Sequence, residues 1–286
     1  MDAFVSLDLI HHYTSINTLA LILKNRTVRF NRLDRVDDVS EAKVFGEFDL
    51  TKNLFVSCWT DSDEESIPQW HIYTDKMTGV RISLPKGFFN YRPLKPDPKL
   101  GAIIEGEVNS PIPWEKMFTD EYFILPNVIN KEQFERKVKY VDDIHGIFRD
   151  AVSMQVGADG KGNLSINSVG DFAGVKHKIW QFQEEFRYVL FILPSIPIPE
   201  KGFSDKEFMS RFPSHIIQCI RDGVSPPIEW FDIEVDNVFD DIEITLGPMC
   251  SEGDRIIVEA LLAKYTKNGR LVDSKLRGTI RNAYKG

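Results

Sequence analysis

The stretch Glu185 to Leu193, with the sequence EFRYVLFIL, is the most strongly β-forming segment of the chain. It is a short, nearly continuous run of aromatic and β-branched residues, which is typical of a strand buried in the centre of a sheet. Two charged residues interrupt the run at its start. Because side chains alternate along a strand, Gln183, Glu185 and Arg187 are expected to share one face. We therefore predict a core strand that carries a polar row at one end.

That polar row has more than one interpretation. Burying polar side chains destabilises a fold unless they are hydrogen-bonded or used in a binding site. The row is therefore either a functional site around Glu185, or a structural ion pair between Glu185 and Arg187, or an exposed edge. The residues by themselves leave these alternatives open.

Periodic patterns outside this strand predict the other elements. A strand over Leu7 to Tyr13 is followed by apolar residues at helical spacing, with Ser15 as the expected helix cap. Further strands are predicted over Thr27 to Phe30, Leu54 to Trp59, Gly79 to Leu84, Ala102 to Val108, Lys137 to Val141 and Ile242 to Leu246. Helices are predicted over Ile67 to Asp75, Phe172 to Trp180, Ser204 to Arg221 and Glu252 to Tyr265, and loops over Asn31 to Glu41 and Gly157 to Asn163. Strands outnumber helices and alternate with them irregularly, which favours an α+β fold over a doubly wound parallel sheet.

Composition and charge narrow the class of protein. With 286 residues, of which 42% are hydrophobic, the chain can bury a sizeable core, and its net charge of −8 does not favour nucleic acid as a partner for the whole surface. Three cysteines without a Cys-x-x-Cys pair indicate thiols in a reducing compartment. The chain has no basic region ahead of an apolar stretch at its start and no apolar run near ~20 residues. We therefore expect a cytoplasmic protein with no membrane partner.

Familiar motifs are absent from the sequence. It has no phosphate-binding loop, no Gly-x-Gly-x-x-Gly and no Gly-x-Ser-x-Gly, which argues against kinase, Rossmann and hydrolase functions. Four residues are candidate metal ligands, but none has the spacing typical of zinc sites. They are His11, His12, Cys58 and His71. We therefore expect no metal.

Two further segments carry candidate functional side chains. His11 and His12 are neighbours near the end of the first predicted strand, so only one of them is expected to face a cleft floored by that strand. Trp70 and Tyr73 are three residues apart and share a face of a helix, where they form either a wall for a flat ring or ordinary core packing.

The order of several short motifs resembles that of an uncharacterised bacterial domain family. The matching stretches are His12 to Ser15, Asp37 to Glu41, Ser57-Cys58, Trp70 to Gly79, Trp180 to Arg187 and Leu246-Gly247-Pro248. The sequence departs from the family pattern in two stretches. The acidic loop lacks the usual Asn and Pro, and Gln183 replaces the first glutamate of a Glu-x-Glu pair, which leaves the Gln-x-Glu pattern found in ADP-ribosyltransferases.

That family in turn resembles the ADP-ribosyltransferase superfamily. The resemblance implies a single domain over residues 1–286, with a split β-sheet core, peripheral helices and insertions near 85–135 and 194–235. It also implies that NAD is the co-substrate. Glu185 would be catalytic beside Gln183, His12 would bind an NAD ribose with Tyr13 and Thr14 next to it, and Trp70 or Tyr73 would pack on the nicotinamide. Arg187, and also Arg81, would pair with the pyrophosphate.

The function implied by this resemblance is mono-ADP-ribosylation of a macromolecular acceptor, nucleic acid or protein, by a toxin or anti-phage effector with an antitoxin or regulatory protein as partner. Two alternatives remain. One is a non-catalytic module that senses a nucleotide or binds a partner through the same fold. The other is an RNA 2′-phosphotransferase or nuclease, which requires basic residues around His12. Its candidates are Arg26, Arg29, Arg32 and Arg35.

Overall fold

A computed structural model describes residues 8–39, 41, 50–95, 97, 107–144, 152–156, 162–166 and 172–281. The strands are β1 (Leu9–Thr14), β2 (Thr27–Arg32), β3 (Leu54–Thr60), β4 (Val80–Pro85), β5 (Arg92–Pro93), β6 (Asn109–Ser110), β7 (Tyr122–Ile124), β8 (Glu135–Lys137), β9 (Lys139–Val141), β10 (Val152–Val156), β11 (Gly162–Ile166), β12 (Val175–His177), β13 (Glu185–Pro194), β14 (Trp230–Glu234), β15 (Glu243–Leu246) and β16 (Arg270–Asp273). The α-helices are α1 (Ile16–Asn25), α2 (Ile67–Tyr73), α3 (Trp114–Met117), α4 (Lys131–Phe134), α5 (Lys206–Arg221) and α6 (Glu252–Tyr265).

One large mixed sheet organises the described residues, and β13 lies in it as predicted. β13 pairs antiparallel with β3 along one side and with β7 and β8 along the other. The rest of the sheet follows the order β14, β2, β3, β1, β4, β15, β16, in which only β15 and β16 pair in parallel. The prediction of an α+β fold is confirmed.

The sheet is interrupted between β1 and β3. β1 pairs with β4 over six consecutive positions, but its register with β3 consists of His11 opposite Thr60 alone. On the same side of β3, β2 pairs only at Val56 and Phe55. Between these two contacts, no register pair within the described sheet covers that edge of β3 from Ser57 to Trp59. The strands therefore diverge around a gap whose walls are β1, β2 and β3.

Both faces of β13 are buried, which explains its nearly continuous apolar sequence. Phe186, Tyr188 and Leu190 point into the main core, together with Trp59 of β3. The opposite face packs a second core that contains Val189 and Phe191. Glu185 and Arg187 lie on this second face at the end of the strand, so the polar row is buried rather than at an exposed edge.

The helices begin where capping side chains predict. Ser15 accepts a hydrogen bond from the Thr18 amide and starts α1. Ser251 starts α6 through a reciprocal capping box with Asp254. α2 carries proline in its first turn and α5 begins after Asp205. These helices agree with the predicted segments to within a few residues.

The segment that leads into β13 differs from the prediction. The helix predicted over Phe172 to Trp180 is wrong, because Val175–His177 pairs in parallel with β9 and Lys178–Gln183 forms a 3-10 helix. Glu184 then has a left-handed backbone, with φ of 42°, so the strand alternation starts only at Glu185. Gln183 therefore lies at the end of the 3-10 helix, not on the strand face that was predicted for it.

Smaller differences concern the ends of elements. Asn31 and Arg32 extend β2 by pairing with β3, whereas a loop was predicted there. The strand predicted over Lys137 to Val141 is divided between β8 and β9. Most of the strand predicted over Ala102 to Val108, and residues 157–161 of the predicted Gly157 to Asn163 loop, lie outside the described residues. The last residues of the insertion predicted near 194–235 form β14, which belongs to the main sheet.

Within the described ranges, no helix is both long and apolar enough to cross a bilayer.

Candidate functional site

A small cavity lies where β1 and β3 diverge. Its volume is about 80 Å³. The surrounding residues come from β1, β3, α2, the 3-10 helix and the start of β13. They are His11, His12, Tyr13, Cys58, Trp59, Gln69, Tyr73, Gln183 and Glu185. Five of the predicted site residues, His12, Tyr13, Tyr73, Gln183 and Glu185, thus border one cavity.

His12 spans the gap in the sheet. Its Nδ1 donates a hydrogen bond of 2.9 Å to the carbonyl oxygen of Cys58, on the edge of β3 that lacks a strand partner. Burial lowers the pKa of His12, although the Cys58 carbonyl acts in the opposite direction. The imidazole is therefore neutral at pH 7, and with Nδ1 protonated its Nε2 is a hydrogen-bond acceptor.

A second and larger cavity adjoins the first. Its volume is about 310 Å³, and the two cavities share His12, Cys58 and Trp59 as lining residues. The larger cavity extends between α1, β2 and β3, where aliphatic and polar side chains line it together, with Asn25, Arg29 and Asp232 among the polar ones. Pockets for small molecules usually measure about 300–1,000 Å³, so only the larger cavity reaches this range. A ligand of dinucleotide size would have to use both.

Gln183 and Tyr73 form one wall of the small cavity. The Gln183 amide donates to the hydroxyl of Tyr73, and Gln69 donates to the backbone carbonyl of Gln183. The side-chain oxygen of Gln183 is buried and makes no hydrogen bond. Because a buried acceptor is costly to leave unsatisfied, this oxygen favours a ligand or water that donates an N–H or O–H.

Glu185 is held by two cations. Arg187 donates to both carboxylate oxygens, from Nε to Oε1 at 2.8 Å and from Nη2 to Oε2 at 3.0 Å, and Nζ of Lys176 lies 3.2 Å from Oε2. Burial alone would raise the pKa of Glu185, but the charges of Arg187 and then Lys176 outweigh it and lower the pKa to about 2. Glu185 is thus ionised at neutral pH, and Arg187 is its structural partner.

Arg187 has no donor left for a ligand. In addition to its bonds to Glu185, Nη1 and Nη2 donate to the carboxylate of Glu41, and Nη1 also donates to the carbonyl of Ala173. All five N–H groups of the guanidinium are therefore used, and the side chain is fully buried. The structure does not place Arg187 where a pyrophosphate could reach it.

Three other candidate residues lie away from the two cavities. Trp70 is fully buried and packs edge-on against Tyr13, with the two ring centres 4.8 Å apart. Its Nε1 donates to Glu65. Thr14 is buried at the end of β1. Arg81 is buried and donates to the backbone carbonyl of Asp63. None of the three lines either cavity, so Tyr73 remains as the candidate for stacking.

His11 borders the small cavity as well, which differs from the expectation that only one of the two histidines would do so. The cavity lies at the open edge of β1 and is therefore accessible from both faces of that strand. Nδ1 of His11 bonds Ser83, and Nε2 lies 3.3 Å from Asp63. Burial, followed by the charge of Arg81, lowers the pKa of His11 to about 4.

The four arginines proposed as a nucleic-acid-binding cluster each face an acidic side chain. The pairs are Arg26 with Asp240, Arg29 with Asp232, Arg32 with Asp34 and Arg35 with Glu229. Arg29 alone lines a cavity that also contains His12. Since the acids neutralise these charges, the cluster does not favour phosphotransfer to or cleavage of RNA.

Sequence patterns missed several residues of the site. Glu41 and Cys58 occur in motifs of the family resemblance, but nothing in the sequence suggested what they contact. Lys176 gave no signal, because the surrounding segment was predicted to be a helix. In the described part of the chain, no group of three or more His, Cys, Asp or Glu side chains could hold a metal ion.

No known protein family, curated protein or solved structure matches the chain. The family resemblance of the motifs therefore stays a prediction.

Proposed function

We propose that this protein is an NAD-dependent mono-ADP-ribosyltransferase that modifies a macromolecular acceptor, nucleic acid or protein. The observation that carries the proposal is the convergence of His12, Tyr73, Gln183 and Glu185 on one cavity at the gap between β1 and β3. A split sheet with a histidine on its first strand, an aromatic side chain and a glutamate on a later strand is the arrangement that the motif resemblance implies.

The chemistry requires a carboxylate that stays charged. The bond between C1′ of the ribose and the nicotinamide nitrogen breaks, and its electron pair leaves with nicotinamide. The ribose then carries positive charge until an acceptor nucleophile bonds C1′ and loses its proton. An ionised carboxylate beside C1′ stabilises this charge. Glu185 supports this role because it borders the cavity and its pKa is about 2.

The other residues supply recognition. Nε2 of neutral His12 accepts a hydrogen bond from a ribose hydroxyl. Tyr73 offers a flat surface for the nicotinamide ring, and the unpartnered oxygen of Gln183 accepts an N–H from its carboxamide. In this proposal the remainder of NAD extends past His12 toward the larger cavity, which shares His12 as a lining residue.

One observation favours a second candidate, a nucleotide-binding module without catalysis. Both oxygens of Glu185 already accept hydrogen bonds from Arg187 and Lys176. A carboxylate held in this way has little remaining capacity to bond a ribose hydroxyl or to follow the reacting carbon. In this alternative the two cavities bind the nucleotide, and Glu185 stabilises the fold.

Incubating the protein with labelled NAD and separated protein, RNA and DNA fractions tests the proposal. We expect release of nicotinamide and transfer of label to one fraction. Binding of NAD without release would support the module instead, and the absence of both would refute the two candidates.

Matched variants assign the effect to the site. We expect His12→Ala to weaken NAD binding more than it lowers thermal stability, whereas His71→Ala, at an exposed position of α2 that lines neither cavity, should leave NAD binding unchanged. Equal NAD affinity in the His12 variant and the wild type would remove His12 from the site.

A further inference from the structure

Two carboxylates and two cations share one buried site behind the small cavity. Glu41 accepts from Arg187 at 2.6 and 3.1 Å and lies 3.0 Å from Nζ of Lys176. Glu185 contacts the same two cations from the other side. All four side chains are at most 6% exposed. We call this group the ion quartet, and its formal charge is zero.

Each cation of the quartet is divided between the two carboxylates. Arg187 has five N–H groups, and three of those on its Nη atoms donate to Glu41 or Glu185. The N–H on Nε donates to Glu185, and the fifth, on Nη1, donates to the backbone carbonyl of Ala173. Lys176 bridges both carboxylates and lies 5.0 Å from the centre of the Trp180 ring. Removing one charge would therefore leave an uncompensated charge where water has little access, which is strongly unfavourable.

Only one member of the quartet reaches the candidate site. Glu185 lines the small cavity, whereas Glu41, Lys176 and Arg187 line neither cavity. Side chains that contact no ligand but fix one that does are typical supports of a functional group.

We infer that Glu41 and Lys176 are positioning residues for Glu185: Lys176 holds the Glu185 carboxylate in place, and Glu41 balances the second of the two positive charges. The inference rests on the proposed function only in assigning Glu185 a catalytic role. The charge balance itself is independent of NAD.

Several groups face Glu185 and bear on its titration. They are Arg187 on its own strand, Lys176 on β12, Glu41, Cys58 on β3, Tyr73 on α2, and Tyr140 on β9, whose hydroxyl accepts from the Glu185 amide at 2.8 Å. Burial raises the pKa of Cys58, Tyr73 and Tyr140, so these three groups are uncharged at neutral pH.

Three variants of the full chain test the inference. Glu41→Gln gives the quartet a charge of +1, Lys176→Met gives −1, and the double variant restores zero. We expect both single variants to unfold at lower urea concentration than the wild type, and the double variant to recover most of the loss. Packing alone would make the two losses additive. Lys178→Met, which removes a half-exposed lysine paired with Asp142, is the control and should change nothing.

The pH dependence of stability separates a charge effect from simple structural damage. In the wild type, the pKa of Glu185 lies below its ordinary value, so its contribution to stability is lost on acidification from about 4.5 to about 2. Lys176→Met removes a neighbouring positive charge and should raise that pKa by ~1–3 units. The Lys176 variant should therefore lose less stability than the wild type between pH 5 and pH 3.

Activity is the last readout. If NAD is turned over, kcat should fall roughly tenfold or more in each single variant, with a smaller effect on KM, and recover in the double variant. If the wild type turns over no NAD, the proposed function fails, and the urea and pH measurements still decide this inference. The inference is overturned if the double variant is no more stable than the less stable of the two single variants, including the case in which it does not fold.

Discussion

Glu185→Gln is the substitution that the proposed chemistry calls for, and we expect it to change stability as well as activity. The glutamine keeps the size of the side chain but loses its charge, and its NH2 group faces donors on Arg187 or Lys176. Three charge-assisted hydrogen bonds to the carboxylate are weakened or lost, and the buried quartet is left with one positive charge.

The contacts that Glu41 keeps with the two cations determine how much stability Glu185→Gln loses. Breaking a buried ion pair by removing one partner costs about 3–5 kcal/mol. Because Glu41 still contacts both cations, we expect the lower end, about 3 kcal/mol. This corresponds to roughly a hundredfold change in the folding equilibrium, and at a urea slope of about 3 kcal/mol/M the unfolding midpoint should fall by about 1 M.

Urea unfolding followed by fluorescence measures this directly. Glu184→Gln is the matched control, because Glu184 is the exposed neighbouring glutamate and its substitution should change stability by no more than about 0.5 kcal/mol. NAD turnover should then be compared in the absence of urea, with the folded fraction of each protein measured in parallel. If Glu185→Gln is as stable as Glu184→Gln, the ion quartet does not stabilise the protein and the reasoning fails.

Three further predictions concern the cavity, the sheet and acid stability. Tyr73→Phe removes the hydroxyl that accepts from Gln183, so stability should fall by about 1–2 kcal/mol and nicotinamide binding should weaken in calorimetry; unchanged affinity would argue against this wall of the cavity. Gly79→Ala would place a Cβ 2.2 Å from the carbonyl oxygen of Thr14, and scanning calorimetry should show a loss of about 2–3 kcal/mol, whereas an unchanged melting temperature would contradict this close approach. The stability contributed by Glu185 is full above its ordinary pKa and is lost as the pH falls toward about 2; urea midpoints that stay constant between pH 5 and pH 3 would refute its depressed pKa.

Local patterns predicted much of the secondary structure. The apolar run of β13, the Ser15 cap of α1 and the periodicity of α6 each depend on residues close together in the chain. The helix predicted over Phe172 to Trp180 was wrong because its apolar residues, although at near-helical spacing, take part in other structure. Val175–His177 pairs with β9 and contains the buried Lys176. Such pairing outweighs a weak helical preference.

The candidate site was predicted only in part for a similar reason. Gln183 and Glu185 do meet at one cavity, but the left-handed turn at Glu184 brings them together instead of strand alternation. Trp70 and Tyr73 are three residues apart, yet only Tyr73 borders the cavity, because Trp70 is buried against Tyr13. Spacing along a helix indicates a shared face but not what covers that face.

For β13, local patterns suffice to predict a buried strand with Glu185 and Arg187 at its end, because side-chain alternation and hydrophobicity are local properties. Only the tertiary structure shows that Glu185 and Arg187 form a neutral quartet with Glu41 and Lys176, and that Glu185 is the member of the quartet that lines a cavity. The reason is distance along the chain: Arg187 meets Glu41 across 146 residues, and its charge can be buried only where that partner is present.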